Sequence, residues 1–415
     1  MVDFKKYTLD NGLRLIVHPD SSTPIATFNL LYNVGSKHEN PERTGFAHLF
    51  EHLMFEGSLN IPSYDTPLQK AGGENNAFTS NDITNYYLTL PVENIETAFW
   101  LESDRMLGLN LTEEKIRVQK NVVIEEFNQR YRNQPYGDAM MLLRNMAYQV
   151  HPYQWSTIGK DIRHIEQASS EEVKDFFYHH YAPNNAILTV VGDIDPDQVK
   201  ELAGKWFGPI PSRSLEKKEI PAEPPQEAPR SQEVTREVPH HVIYKAYHMR
   251  SRKHPDYYPA DLISDLLANG NSARLYQNLV KRKQSFSSID AYITGDIDEG
   301  LLMIQGTLAE GIKMKHAEDD IQEELDRLKQ SPLPEEELQK VKNKVIAVKT
   351  YTRTSTLHKA MNIAFFELLG DAGQINKEDE RYRSVTTEDI QRVSQQILDQ
   401  NNCTTLYYFA KKIKS

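Results

Sequence analysis

Gly45-Phe46-Ala47-His48-Leu49-Phe50-Glu51-His52-Leu53-Met54-Phe55 sets two histidines four residues apart, with a glutamate directly before the second, in a run that is otherwise apolar. At about 100° per residue, positions 48, 51 and 52 share one face of an α-helix, so two imidazoles and a carboxylate converge. Neutral imidazole is a good zinc ligand, and an i,i+4 pair supplies two of the three protein groups that a catalytic zinc takes, leaving one position for water. Glu51 cannot easily enter the same coordination sphere, but it can take that water's proton and later deliver it to a leaving amine. The order H-x-x-E-H reverses the commoner H-E-x-x-H and is a signature of its own. With 14 His among 415 residues, accident produces such a pattern in about a few chains per hundred. Its surroundings must therefore decide between a metal site and two histidines on an ordinary helix.

The chain is too long for one ordinary core and suits two domains of about 200 residues. A net charge of −11 with no long Lys/Arg block argues against a nucleic-acid binder. The N-terminus Met1-Val2-Asp3-Phe4-Lys5-Lys6 lacks an apolar signal region, and no stretch approaches the roughly eighteen apolar residues of a membrane span, so a soluble, cytoplasmic protein is expected. The single cysteine, Cys403, excludes an intrachain disulfide and reads as a small core residue.

Working outward from the motif, Tyr7 to Val17 reads as strand, Asn11-Gly12 turn and strand, and Ile25 to Val34 as another strand. Thr44 is the predicted N-cap of the motif helix, which should end near Gly57. Two strands joined by a polar turn follow, and helices are predicted over 93–107, 113–132 and 137–149. Ser169-Ser170-Glu171-Glu172 forms a capping box ahead of a helix, and Ala186 to Val191 reads as a buried strand. Pro221, Pro224, Pro225 and Pro229 mark a stiff polar linker. The predicted organisation is a first domain over 1–211, a linker over 212–235 and a second domain over 236–415.

The second half can be laid over the first. Thr386-Thr387-Glu388-Asp389-Ile390 through Asn401-Asn402-Cys403 matches Ser169-Ser170-Glu171-Glu172-Val173 through Asn184-Asn185-Ala186 without a gap, and a similar shift brings Tyr32 onto Tyr247. The chain reads as a duplicated domain. Positions 48, 51 and 52 then fall on Ile263, Leu266 and Leu267. Packing at this helix therefore does not call for His, Glu and His, and the polar set in the first copy points to chemistry. For a third ligand the candidate is Glu126, in Val122-Val123-Ile124-Glu125-Glu126-Phe127, with Glu125 as its rival; the comparable run Lys342 to Val348 lacks both acids.

Together HLFEH, the turn GGENNAFT at 72–79 with the later Tyr86, VVIEEF at 122–127, VVGDID at 190–195 and NGNSARLYQNL at 269–279 resemble the pitrilysin-type (inverzincin, M16) zinc metallopeptidases. More narrowly, the chain looks like the short bacterial members related to the mitochondrial processing peptidase subunits. The resemblance implies an α+β fold of two homologous α/β-sandwich domains forming a clam-shell, with one zinc ion in the first domain only. It implies His48, His52 and Glu126 as ligands and Glu51 as general base. An extended peptide would pair with the backbone of Asn76-Ala77-Phe78, a mode that reads the main chain of any unfolded segment. Arg274 and Tyr276 would hold a substrate carbonyl and donate to the oxyanion. A homodimer or a paired subunit of the same family is the implied partner. The expected activity is a metalloendopeptidase acting on unstructured peptides; the alternative is a catalytically weak or silent peptide-binding partner subunit. One position departs from the family pattern: seven residues before the third ligand, where a second glutamate is usual, stands Gln119. It can hydrogen-bond near the metal but carries no charge.

Overall fold

The computed structural model describes residues 1–215 and 219–411. Its first half runs β1 (Lys5–Thr8), β2 (Arg14–Pro19), β3 (Ile25–Tyr32), α1 (Phe46–Leu53), α2 (Asp65–Lys70), β4 (Glu74–Thr79), β5 (Thr84–Pro91), α3 (Ile95–Leu107), α4 (Glu113–Phe127), α5 (Ala139–Ala147), α6 (Arg163–Glu166), α7 (Ser170–His180), β6 (Ala186–Gly192) and α8 (Pro196–Phe207). The second half runs β7 (Arg230–Arg236), β8 (Val242–His248), α9 (Tyr257–Ala268), β9 (Phe286–Ile293), β10 (Leu301–Leu308), α10 (Met314–Gln330), α11 (Glu335–Thr352), α12 (Thr356–Leu369), α13 (Glu378–Ser384), α14 (Thr387–Ile397) and β11 (Cys403–Ala410). Among the described residues no helix is long and apolar enough to cross a membrane.

The strands form two sheets, ordered β1-β2-β6-β3-β5-β4 and β7-β11-β8-β10-β9. Apart from β1 the orders are the same, and the directions agree: β2 runs parallel to β6 as β7 does to β11, and the remaining pairs are antiparallel. The register agrees as well. Tyr32 faces Ala186 across β3 and β6, and Tyr247 faces Cys403 across β8 and β11. Ahead of each strand an asparagine amide ties the end of the preceding helical segment, Asn185 to the His180 carbonyl and Asn402 to the Ile397 carbonyl, both at 2.8 Å. The fold is α+β and built from two homologous halves.

Each sheet is apolar on both faces and needs cover on both. On the first sheet α1, α3, α7 and α8 belong to the same half, but the opposite face is covered by α12. There Ala360, Ile363 and Ala364 pack with Ile16, Leu31, Ile187 and Val191. On the second sheet α5 plays the reciprocal part, packing Ala139, Leu143 and Ala147 with Tyr244, Ala246, Met303 and Tyr408. The compact units are therefore 1–128 with 155–220 and 349–377, and 129–154 with 221–348 and 378–415. They depart from the contiguous division into 1–211 and 236–415, because each half lends one covering helix to the other.

The expected linker is also more ordered than its composition suggested. Residues 230–235 belong to β7, paired along β11. Ahead of β7, the Glu223 carboxylate accepts the N–H groups of Gln149, Val150 and His151 at 2.7, 3.0 and 2.9 Å. Residues 216–218 of the expected linker lie outside the described residues.

A fragment spanning 1–211 lacks α12 and leaves Ile16, Leu31, Ile187 and Val191 open to water. It should bind a hydrophobic dye and aggregate, and become soluble when a segment covering 349–377 is supplied. A cooperative melt of the isolated fragment would contradict the exchange.

Candidate metal centre

α1 begins in a buried place, with Phe46 3% and Ala47 0% exposed, so its first N–H groups cannot turn to water. Thr44, predicted as the cap, is engaged elsewhere: its hydroxyl bonds His164 Nδ1 at 2.9 Å and accepts the Lys160 N–H at 2.8 Å. Gly45 at φ +92° turns the chain into the helix, and it offers no side chain. Glu39 caps instead, its two oxygens accepting the N–H groups of Gly45 and Ala47, each at 2.9 Å. Burial pushes the Glu39 carboxyl up to about 8, against the pull of those N–H donors and the Trp155 side chain.

Beneath the middle of the helix, the Tyr86 hydroxyl donates to the Phe50 carbonyl at 3.2 Å. Tyr86 rests on Arg105, whose guanidinium lies 4.5 Å from the ring centre and is paired with buried Glu102 at 2.5 Å. A cation on an aromatic face and a buried ion pair make a stiff seat. His48, Glu51 and His52 thus sit on a short helix fixed at its start by Glu39 and along its length by Tyr86.

His48 and His52 present their rings nearly at right angles, with centroids 5.0 Å apart. Glu126 arrives from α4, its Oε2 lying 3.6 Å from His48 Nε2 and 3.4 Å from His52 Nε2. All three ligand atoms lie within 4.8 Å of one another. Ligands about 2.0–2.1 Å from a tetrahedral zinc stand about 3.3 Å apart, so the donor set and its spacing fit that ion. Glu125, the rival acid, is exposed and is not among the three converging groups. In the second half Ile263, Leu266 and Leu267 are at most 1% exposed, and α9 is a core helix.

β4 is the outermost strand of its sheet and packs beside α1, Thr79 Oγ1 donating to the Ala47 carbonyl at 3.5 Å. Its side chains alternate between exposed and half-buried, with Asn76 and Phe78 outward. The Ala77 N–H donates to the Asn76 side chain at 2.8 Å, and Ala77 stands opposite Tyr86 in the ladder with β5. In the second unit Arg274 is held in a two-point ion pair with Glu337, at 2.9 and 2.8 Å. Tyr276 opens a π-helical turn running to Arg282, with Lys281 Nζ 5.4 Å from its ring centre. Gln119 does not reach the ligands by any described bond; its amide donates to Glu56 Oε1 at 2.5 Å.

Two family models match in tandem: Insulinase (Peptidase family M16) over residues 14–161 and Peptidase M16 inactive domain over 167–345. The chain belongs to peptidase family M16. The zinc protease PqqE of Helicobacter pylori is 29% identical over 408 residues, covering 96% of this chain and 91% of that protein. The bovine mitochondrial-processing peptidase subunit beta is 29% identical over 226 residues, 52% of this chain and 44% of that one. A crystal structure of a protease from Helicobacter pylori superposes with a TM-score of 0.92 at 29% identity, covering 98% of this chain and 100% of the other. The match to an inactive-domain model agrees with the apolar α9.

The Glu39 value sets a pH dependence. A carboxyl whose folded pKa is raised from 4.5 to about 8 contributes most to stability below 4.5, and that contribution is lost as pH climbs through 8. Unfolding free energy measured by denaturant should decline with pH across this window in the wild type, and E39Q should flatten the decline. E39A should in addition cost about 1 kcal/mol for the lost cap. Parallel profiles for wild type and E39Q would refute the assignment.

Proposed function

We propose that this M16 protein is a zinc-dependent metalloendopeptidase acting on extended, unstructured peptides. The convergence of His48, His52 and Glu126, at a helix whose second-copy counterpart is apolar, carries the reading. A zinc ion held by these three groups supplies a polarised, acidified water at neutral pH. Glu51, one residue from a ligand on the same short helix, takes a proton from the attacking water and returns it to the leaving amine. His48 and His52 stay neutral to serve as ligands, and Glu126 brings the negative charge.

The outermost strand β4 suits substrate capture by strand addition. Asn76 would yield the Ala77 N–H to a peptide carbonyl, leaving Asn76 and Phe78 to contact its side chains. Arg274 and Tyr276 are proposed to hold the substrate carbonyl and its developing negative charge. Glu337 keeps the guanidinium of Arg274 oriented in the meantime. Pairing with a second copy, or with another M16 subunit, is proposed as the working assembly. A catalytically silent, peptide-binding partner subunit is the second reading; the neutral Gln119 favours it.

The test is zinc content together with peptide profiling. Wild-type protein should hold one zinc per chain and cut a quenched, unstructured peptide. E51Q should keep the metal and lose about 10²–10⁴-fold in kcat. Stoichiometric zinc with no cleavage that E51Q abolishes would leave the silent-subunit reading standing. H48A and E126A should each lose the metal; retention in E126A would remove Glu126 from the ligand set.

A further inference from the structure

Gln119 is the residue that the metal reading does not absorb, and its bond points to another. Glu56 follows His52 by four residues. The chain still turns there, with Phe55 N–H donating to the His52 carbonyl and Glu56 N–H to the Leu53 carbonyl, both at 3.1 Å. That turn directs Glu56 toward α4. Its side-chain Oε1 accepts from Gln119 Nε2 at 2.5 Å, and its backbone carbonyl accepts from Lys115 Nζ at 2.6 Å.

Lys115 and Gln119 stand one turn apart on α4. Glu126 lies two turns beyond Gln119 on the same face, since seven residues at about 100° bring the helix almost back to its starting angle. Two of the metal's ligands ride on α1 and the third on α4. Glu56 is thus bonded through its side chain and its backbone to the helix that carries the third ligand, one helical turn past the second. Glu56 and Gln119 are both half-buried, where a charge-assisted bond is stronger than a neutral one in water.

We infer that Glu56 is a positioning residue that clasps α1 to α4 through Gln119 and Lys115 and so sets the separation of His52 from Glu126. The pair also places a carboxylate beside Gln119. The neutral amide therefore serves as donor in an acid–amide pair. This inference rests on His48, His52 and Glu126 holding a zinc ion.

The experiment measures zinc affinity by competition with a chromogenic chelator, with melting of the metal-free protein recorded on the same samples. E56A should weaken zinc binding about 10-fold or more, the range seen when groups that orient ligands are removed. The exchange variant E56Q/Q119E rebuilds the bond with donor and acceptor reversed, and should return affinity to within about threefold of the wild type. Q119A removes the same bond from the α4 side and, if E56A does not fold, is read in its place with the same expected loss. Unchanged zinc affinity in both single variants, with only a lower melting temperature, overturns the clasp as a positioning device. So does an exchange variant no better than E56Q alone. Wild-type protein that binds no zinc sinks the metal reading itself and this inference with it, an outcome distinct from tight wild-type binding that the variants leave unmoved.

Discussion

An acid on one helix is held about 3.5 Å from two imidazoles on another, the spacing that the proposed zinc site requires. Side-chain chemistry alone does not ensure this, because each ligand has rotamer freedom that costs free energy to freeze. The protein meets the constraint by fixing both helices. α1 is capped by a buried carboxyl group, seated on a tyrosine backed by a paired arginine, and tied past its C-terminal end to α4. These fixtures are polar groups wholly or partly removed from water and bonded to one another, which is costly to arrange and resists distortion once arranged.

Duplication provides the frame in which those fixtures make sense. The two sheets share strand order, direction and register, so the same fold is built twice from different side chains. In the second copy the helix corresponding to α1 is a plain core element. At positions 48, 51 and 52, where the first copy departs from the apolar second, packing does not call for the polar residues. The exchange of α5 and α12 adds a further requirement. Neither sheet is covered on both faces by its own half, so the first sheet and the site mounted on it depend on residues more than 300 positions away, such as Ile363 against Leu31.

Much of the site was legible in the chain. His48, Glu51 and His52 lie within five residues, and helical periodicity alone aligns them. Glu126 could be named from a family resemblance, but the choice between it and Glu125 depended on which face of α4 turns inward. The gapless match of 169–186 with 386–403 foretold the repeated register. What escaped were the long-range partners. Glu39 looks like any surface acid until the buried start of α1 is seen to lack a cap, and Thr44, the obvious candidate by sequence, is drawn away by His164 and Lys160. Glu56 sits in a run of turn-forming residues with nothing to mark it.

The sequence by itself determined the candidate ligand type, the helical pairing of the two histidines and the presence of two related halves, because each of these is written in spacings of a few residues or in a repeat. Tertiary structure alone decided which covering helix belongs to which sheet, which carboxyl group caps α1, and that Gln119 bonds to Glu56. Those outcomes depend on which buried N–H groups and apolar faces are left without partners once the strands have paired, and the groups that satisfy them come from distant stretches whose local pattern carries no sign of the task.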